Sequence, residues 1–307
     1  MCYSAQIWAS WRKFEHVWHT GMSIQEFAEL YIAGMSDKRI RIPKAMDLGF
    51  ADPQTEAERG VKALIDACNA QLAAEWEQKL FKQRKRLADA ERTLQTKVTK
   101  AASESKRIAT EKVEWLLGKL ADLKRTEPKD RDSQIFPGWY APVMVMEDGK
   151  RVIKPMRYQC RPAGKPAFYD TKYPGTYNAR RDNLEGFWKR QFGHNHGILI
   201  VERFFENVQR DGKNVVLEFV PADHRPMLVA CLWSRWSEPG EPDLLSFAAI
   251  TGEPPAEVAA AGHDRCIVPI KAEHLDEWLN PDPGNLKRLY EILDDRERPY
   301  YEHRMAA

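Results

Sequence analysis

Hydrophobic and polar positions divide this chain into three stretches of different texture. In the first, apolar Trp8, Trp11, Phe14, Val17 and Trp18 recur at spacings of three and four. Ser23-Ile24-Gln25-Glu26 then supplies an N-cap and capping box ahead of Phe27, Leu30 and Tyr31. This pattern predicts two short helices between Ser4 and Tyr31. Pro43, Gly49 and Pro53 break residues 39–53 into a loop or short strand. The second texture runs from Thr55 to Lys124, with neither Gly nor Pro between Val61 and Leu117. Its apolar seam, Val61, Ile65, Cys68, Leu72, Trp76, Leu80, Leu87, Leu94 and Val98, predicts one long helix. The small polar run Thr99 to Ser105 is the expected turn, and Ile108, Val113, Leu116, Leu117, Leu120 and Leu123 form the returning arm.

After the breakers between Glu127 and Ser133 the pattern changes to strands. Trp139 to Met146 and Arg151 to Tyr158 flank a turn at Asp148-Gly149; a Pro/Gly/Tyr-rich loop covers Arg161 to Tyr177. Leu184 to Phe192 predicts a short helix, followed by strands Gly197 to Glu206, Val215 to Pro221, Leu228 to Trp233 and Leu244 to Thr251. Ala256 to Ala261, a strand Cys266 to Ile270, and helices near His274 to Leu279 and Asn285 to Ile292 close the chain. Strands without regular helical crossovers predict an α+β fold: a mostly antiparallel β core, peripheral helices and a long inserted helical hairpin. Segments 1–54 and 127–307 form the core domain, and 55–126 the insertion.

Composition narrows the chemistry. At 307 residues the chain buries a full core without disulfides. Its five cysteines, Cys2, Cys68, Cys160, Cys231 and Cys266, form no C-x-x-C pair, which argues for a reducing compartment and against a zinc site. With neither a signal peptide nor an apolar run of about 20 residues, a cytoplasmic location is expected and no membrane association. A net charge of +2 leaves room for a nucleic-acid surface only as a local basic patch. The run Lys82, Arg84, Lys85, Arg86 has two readings, a solvated helix face, the commoner case, or a phosphate-backbone contact.

The opening Met1-Cys2 carries the candidate chemistry. Removing Met1 leaves a free 1,2-aminothiol, in which an α-amine of pKa near 8 neighbours a thiol of pKa about 8.5. The amine condenses with an aldehyde and the thiol closes the resulting Schiff base to a thiazolidine. By itself, a cysteine at position 2 is more often a small hydrophobe.

Several downstream motifs bear on this choice. The chain resembles the SOS response-associated peptidase (SRAP) family of abasic-site cross-linking proteins through Met1-Cys2, through Pro155-Met156-Arg157-Tyr158-Gln159-Cys160-Arg161-Pro162 and through Asn178-Ala179-Arg180. Phe204-Phe205-Glu206, Pro221-Ala222-Asp223 with Leu228 to Trp236, Gly262-His263-Asp264-Arg265 and Trp278-Leu279 extend the likeness over most of Trp139 to Pro283. The resemblance implies a DNA-damage and SOS-response role in DNA repair, with single-stranded DNA containing abasic sites as partner. It implies a peptidase that removes its own Met1 and a lyase-like Schiff-base activity ending in a covalent protein–DNA linkage. In that scheme Cys2 would be the nucleophile and Asn178 would hold its amine. Glu206 would assist ring opening and proton transfer, and His263 would protonate the leaving oxygen. Arg180, Arg157 and Arg265 would contact DNA, and no cofactor or metal is required.

The chain departs from the family at Tyr3 and Ser4, where Gly-Arg is usual, and at Ala163-Gly164, where a Trp is usual, leaving Phe168, Tyr169 or Tyr173 to stack on bases. Three rival readings use the same residues. Cys2 could serve as an N-terminal-nucleophile hydrolase, the hairpin could make a non-catalytic DNA-associated module, and His194-Asn195-His196 resembles part of an HNH nuclease. The sequence leaves the oligomeric state open.

Overall fold

A computed structural model describes residues 4–210 and 212–306. Its N-terminal part contains β1 (Ser4–Ile7), α1 (Trp11–Trp18), β2 (Gly21–Met22), α2 (Ile24–Ser36) and α3 (Lys44–Leu48). The hairpin is α4 (Glu56–Thr96) and α5 (Lys100–Lys124). Then come β3 (Gln134–Ile135), β4 (Tyr140–Glu147), β5 (Lys150–Tyr158), α6 (Tyr169–Lys172), β6 (Asn178–Arg180), β7 (His196–Arg210), β8 (Lys213–Pro221), β9 (Met227–Trp236) and β10 (Leu244–Gly252). Last are α7 (Ala256–Ala260), β11 (Cys266–Ile267), β12 (Pro269–Ile270), α8 (Leu275–Leu279), α9 (Leu286–Asp294) and β13 (Tyr301–Met305).

The fold is α+β, built on one mostly antiparallel sheet, in which β10–β5, β10–β6 and β2–β5 are the parallel strand pairs among the described residues. Strands β9, β10, β5, β4 and β7 each pair with the next, and β7 returns to β9, closing a five-stranded ring. Closure leaves no room at Gly197 of β7. A Cβ there would meet Val143 Cγ1 at 2.9 Å, Met144 O at 3.2 Å and Cys231 Sγ at 3.3 Å, so glycine is required where β7 passes between β4 and β9. Beyond the ring, β7 continues with β8 on one side and β1 on the other.

Three predicted stretches differ in kind. Ser4–Ile7 is a strand, paired with β7 and β3, and helix begins only at Trp11. Leu184 to Phe192 is no α-helix; a short 3-10 turn at Arg181–Asn183 leads into successive turns, ending at Gly193 with φ +80°. Leu184, Trp188 and Phe192 still face the core at a spacing of four, which is why the sequence reads as helical. Residues 39–53, expected as loop or strand, contain α3 behind Pro43.

The hairpin forms because α4 is capped by Thr55, whose side chain accepts from Glu58 N, and meets neither Gly nor Pro from Val61 on; its 41 residues span about 60 Å at 1.5 Å per residue. It turns at residues 97–99, and Thr99 caps α5 by accepting from Ala102 N. The turn therefore lies at the front edge of the predicted run, whose later residues are helical. Returning α5 covers the middle of the seam in a separate cluster of Leu80, Leu116 and Leu120, flanked by Ala73, Trp76 and Val113. Nearer the tip, buried Ala90, Ala102 and Ala109 let the arms approach, while Val98 stays exposed.

The first turns of α4 behave differently, since Val61 and Ile65 are buried in the main core, with Leu64 and Cys68 against it. Arg12 also holds Glu58 at 2.8 Å. Excising residues 82–112, with a short Gly/Ser turn joining Phe81 to Val113, should therefore leave cooperative unfolding intact. Excising Glu56 to Leu123 should lose about 1.5–3 kcal/mol for each of Val61 and Ile65 and destabilise the core. Urea unfolding of both shortened chains checks this; equal stability would show that the base of the hairpin is dispensable.

Candidate active site

Two strands and one loop assemble the site. On β7 side chains alternate, so Phe204, Glu206 and Val208 are buried on one face. Antiparallel pairing sets Ser4 opposite Phe205, and Glu206 is the next residue beyond that pair, on the N-terminal side of β1. Cys2 lies outside the described residues, as do Met1 and Tyr3. After α7 the chain turns through Gly262, whose φ of +100° suits glycine, and passes over β7, where a Cβ on Gly262 would lie 3.9 Å from Val208 Cβ. That turn delivers His263 to Glu206, with Nε2 3.3 Å from Oε2. Glu206 is fully buried and His263 is 8% exposed.

The ring of His263 has a defined tautomer. Nδ1 lies 2.8 Å from the Arg265 carbonyl oxygen and 3.3 Å from Arg265 N, so the shorter contact makes Nδ1–H the donor. Nε2 then points its lone pair at Glu206 Oε2. At 3.3 Å the two groups are close enough to pass a proton between them. Burial lowers the His263 pKa below its ordinary 6.5, against a smaller upward pull from the Arg265 carbonyl. Burial therefore favours the uncharged imidazole at neutral pH.

Sequence reasoning missed Cys266 as a neighbour, although it follows His263 by three residues. Its thiol is pushed up to about 12, first by burial and then by the charge of Glu206, so it is a poor nucleophile. Thr251 was also missed; it is fully buried at the end of β10, flanked in register by Arg180 of β6 and Ile267 of β11. No sequence signal separates either residue from ordinary core.

Asn178 is buried on β6 in register with Ala249 of β10, two positions before Arg180. Arg180 is exposed and paired with Asp182, Nε to Oδ1 being 3.0 Å; the charge of Asp264, next to His263, also acts on it. Arg265 Nε lies 3.8 Å from Asp264 Oδ2. Arg180 and Arg265 thus sit with Asp182 and Asp264 in one group of charges around the His263 loop. The Arg157 guanidinium binds Asp170 at 2.8 Å and donates to the Gln159 carbonyl, and Arg161 holds the same Asp170. This clamp fixes the loop carrying the exposed aromatics Phe168 and Tyr173.

His196 is not a nuclease ligand. Nε2 accepts from Gly193 N at 2.9 Å, Nδ1 donates to the Trp278 carbonyl at 3.0 Å, and burial drives its pKa down to about 3. Unfolding below the ordinary pKa of 6.5 takes up a proton, so stability is intact above pH 6.5 and falls as pH drops toward 3. Between pH 6.5 and 4.5 urea unfolding of the wild type should lose about 2 kcal/mol more than His196→Phe does. Parallel pH curves for the two chains would contradict the neutral assignment.

Among the described residues no helix is long and apolar enough to cross a membrane. The model of the SOS response associated peptidase (SRAP) family matches residues 70–305. Similar solved structures include a Bordetella bronchiseptica protein, 18% identical over 57% of this chain and 87% of that one, with a TM-score of 0.47. A Bacteroides thetaiotaomicron protein is 14% identical over 57% and 78%, with a TM-score of 0.47. A phage-related protein from Bordetella bronchiseptica is 20% identical over 60% and 85%, with a TM-score of 0.43. No curated protein matches.

Proposed function

The chain belongs to the SOS response-associated peptidase family, and from that premise we propose that it binds single-stranded DNA and traps the ring-opened aldehyde of an abasic site through Cys2, after removing its own Met1. The carrying observation is the buried Glu206–His263 couple, placed one residue beyond the Ser4–Phe205 pair where the N-terminal strand enters. Cys2 precedes Ser4 by two residues in sequence, at most about 7 Å of extended chain at about 3.6 Å per residue.

The chemistry balances without a redox partner. Water cleaves the Met1–Cys2 amide, giving hydroxyl to the Met carbonyl and hydrogen to the new amine. That amine adds to the aldehyde carbon, and the carbinolamine loses water to become an imine, its leaving oxygen protonated by the Glu206–His263 couple. The Cys2 sulfur then adds to the imine carbon while its proton passes to nitrogen, closing the thiazolidine. Arg180 and Arg265 suit phosphates flanking the lesion, because each holds an aspartate that solvent or phosphate can replace. Arg157, which shares Asp170 with Arg161 at the aromatic loop, is the third candidate for a phosphate contact.

Intact-mass measurement after incubation with abasic single-stranded DNA tests the reading. The expected product is the chain without Met1 plus the DNA, less one water. Cleavage products without an adduct would favour the hydrolase alternative, and an unchanged mass with Met1 retained would favour a non-catalytic module.

A further inference from the structure

The distal hairpin concentrates positive charge that the rest of the chain lacks. Residues 82–112 contain ten Lys/Arg against four Asp/Glu, a net +6, so everything outside them carries a net −4. The four carboxylates are already used: Asp89 by Arg92, Glu91 by Lys106, and Glu104 and Glu111 by Arg107. Seven cations, Lys82, Arg84, Lys85, Arg86, Lys97, Lys100 and Lys112, have no carboxylate partner among the described residues. Lys82, Lys85 and Arg86, at helical spacings of three and four, line a cleft of about 520 Å³ between the two arms. Thr93, Thr99 and Ser105 add hydroxyls to it, and Arg86 Nε donates to Ser105 Oγ at 2.9 Å.

We infer that this arm is a second DNA-binding surface, which grips the phosphate backbone of single-stranded DNA away from the lesion. Its cations begin about 21 Å beyond Cys68, the last α4 residue against the main core, and continue to about 42 Å at Thr96. A solvated helix face would balance its charges along its length, as the base of α4 does with Arg59–Glu56 and Lys62–Asp66. A membrane-surface helix needs an apolar stripe beside its cations, and the one large exposed apolar residue within 82–112, among those described, is Val98. An extended row of unpaired cations with neighbouring hydroxyls suits a polyanion read by backbone alone.

The choice of DNA rests on the proposed function, so the test uses unmodified single-stranded DNA and needs no cross-link. Full-length wild type and the K82Q/K85Q/R86Q variant are titrated against a 40-nucleotide strand over a range of salt concentrations. At about 0.7 per phosphate, losing three contacts should flatten the log–log salt slope by about 2 and weaken binding at low salt at least tenfold. The chain lacking 82–112 should lose at least as much, which guards against a local defect in the variant. Adduct yield on an abasic strand of eight nucleotides, taken at saturating protein so that the affinity of the arm does not limit it, should be the same for all three chains. Equal affinity and slope in wild type and variant would overturn the inference, as would binding of phosphatidylserine vesicles that responds to the substitutions when DNA binding does not. Failure of the short-strand adduct in the wild type would instead strike the cross-linking reading and leave the salt slopes to judge the arm.

Discussion

Cys2→Ala should abolish the heat-stable adduct with abasic single-stranded DNA, because it removes the sulfur that closes the ring while leaving the α-amine. An amine alone gives a reversible imine, which heat and water return to aldehyde. Cys2→Ser separates the two steps. Its hydroxyl is a weaker ring-closing nucleophile than a thiol with pKa near 8.5, so the product should stay at the imine and survive only after borohydride reduction. Both variants are read on denaturing gels, with and without reductant. A wild-type amount of heat-stable adduct from Cys2→Ala would sink the thiazolidine chemistry. None of the four described cysteines offers a substitute: burial raises the thiol pKa of Cys160, Cys231 and Cys266, and Cys68, on the hairpin, is also raised by burial.

The legible parts of the fold were those where one residue pattern has one physical solution. A stretch free of Gly and Pro from Val61 to Leu117 has no alternative to helix, and Tyr140–Glu147 with Lys150–Tyr158 around Asp148-Gly149 has none to a hairpin. Ser4–Ile7 was not legible, because four residues carry no periodicity of their own and their strand state is imposed by β7. Leu184 to Phe192 misled for the opposite reason. Spacing of four is satisfied by any chain that turns once every four residues, and the run stops at Gly193, whose φ of +80° is not helical. The tail strand β13 (Tyr301–Met305) buries only Tyr301, so its sequence shows no alternation to read.

The site was legible as residue types and not as geometry. Glu206 and His263 are 57 residues apart, and nothing local says that a turn at Gly262 will carry one onto the other. Motif resemblance supplied the pairing that periodicity could not. Resemblance grouped Arg157 with Arg180 and Arg265, and the charge partners of each are legible only in three dimensions: Arg157 shares Asp170 with Arg161, while Arg180 pairs with Asp182. The basic run of α4 could not be weighed from sequence, since its two readings differ only in whether the facing arm supplies carboxylates. The structure shows which carboxylates are spent and on which partners.

Glu206→Gln should slow cross-linking by about 10²- to 10⁴-fold, the usual worth of a positioned acid–base group. The substitution is informative because it keeps shape. A glutamine amide can donate to His263 Nε2 across the same 3.3 Å, so the loop stays in place while the carboxyl that gives and takes protons is lost. His263→Phe should cost a similar factor, and the double variant little more, since the two act as one couple. The pH profile gives the sign. His263 is held below its ordinary 6.5 by burial, so the neutral ring persists at pH 7 and is lost as pH falls through that lowered value. The wild-type rate should therefore show an acid limb beginning below pH 6.5, superimposed on a rise toward pH 8 as the α-amine deprotonates. Glu206→Gln should keep the amine limb and lose the acid one. Single-turnover cross-linking rates from pH 5 to 8.5 decide it, and a Glu206→Gln rate within threefold of wild type across that range would remove the couple from the chemistry.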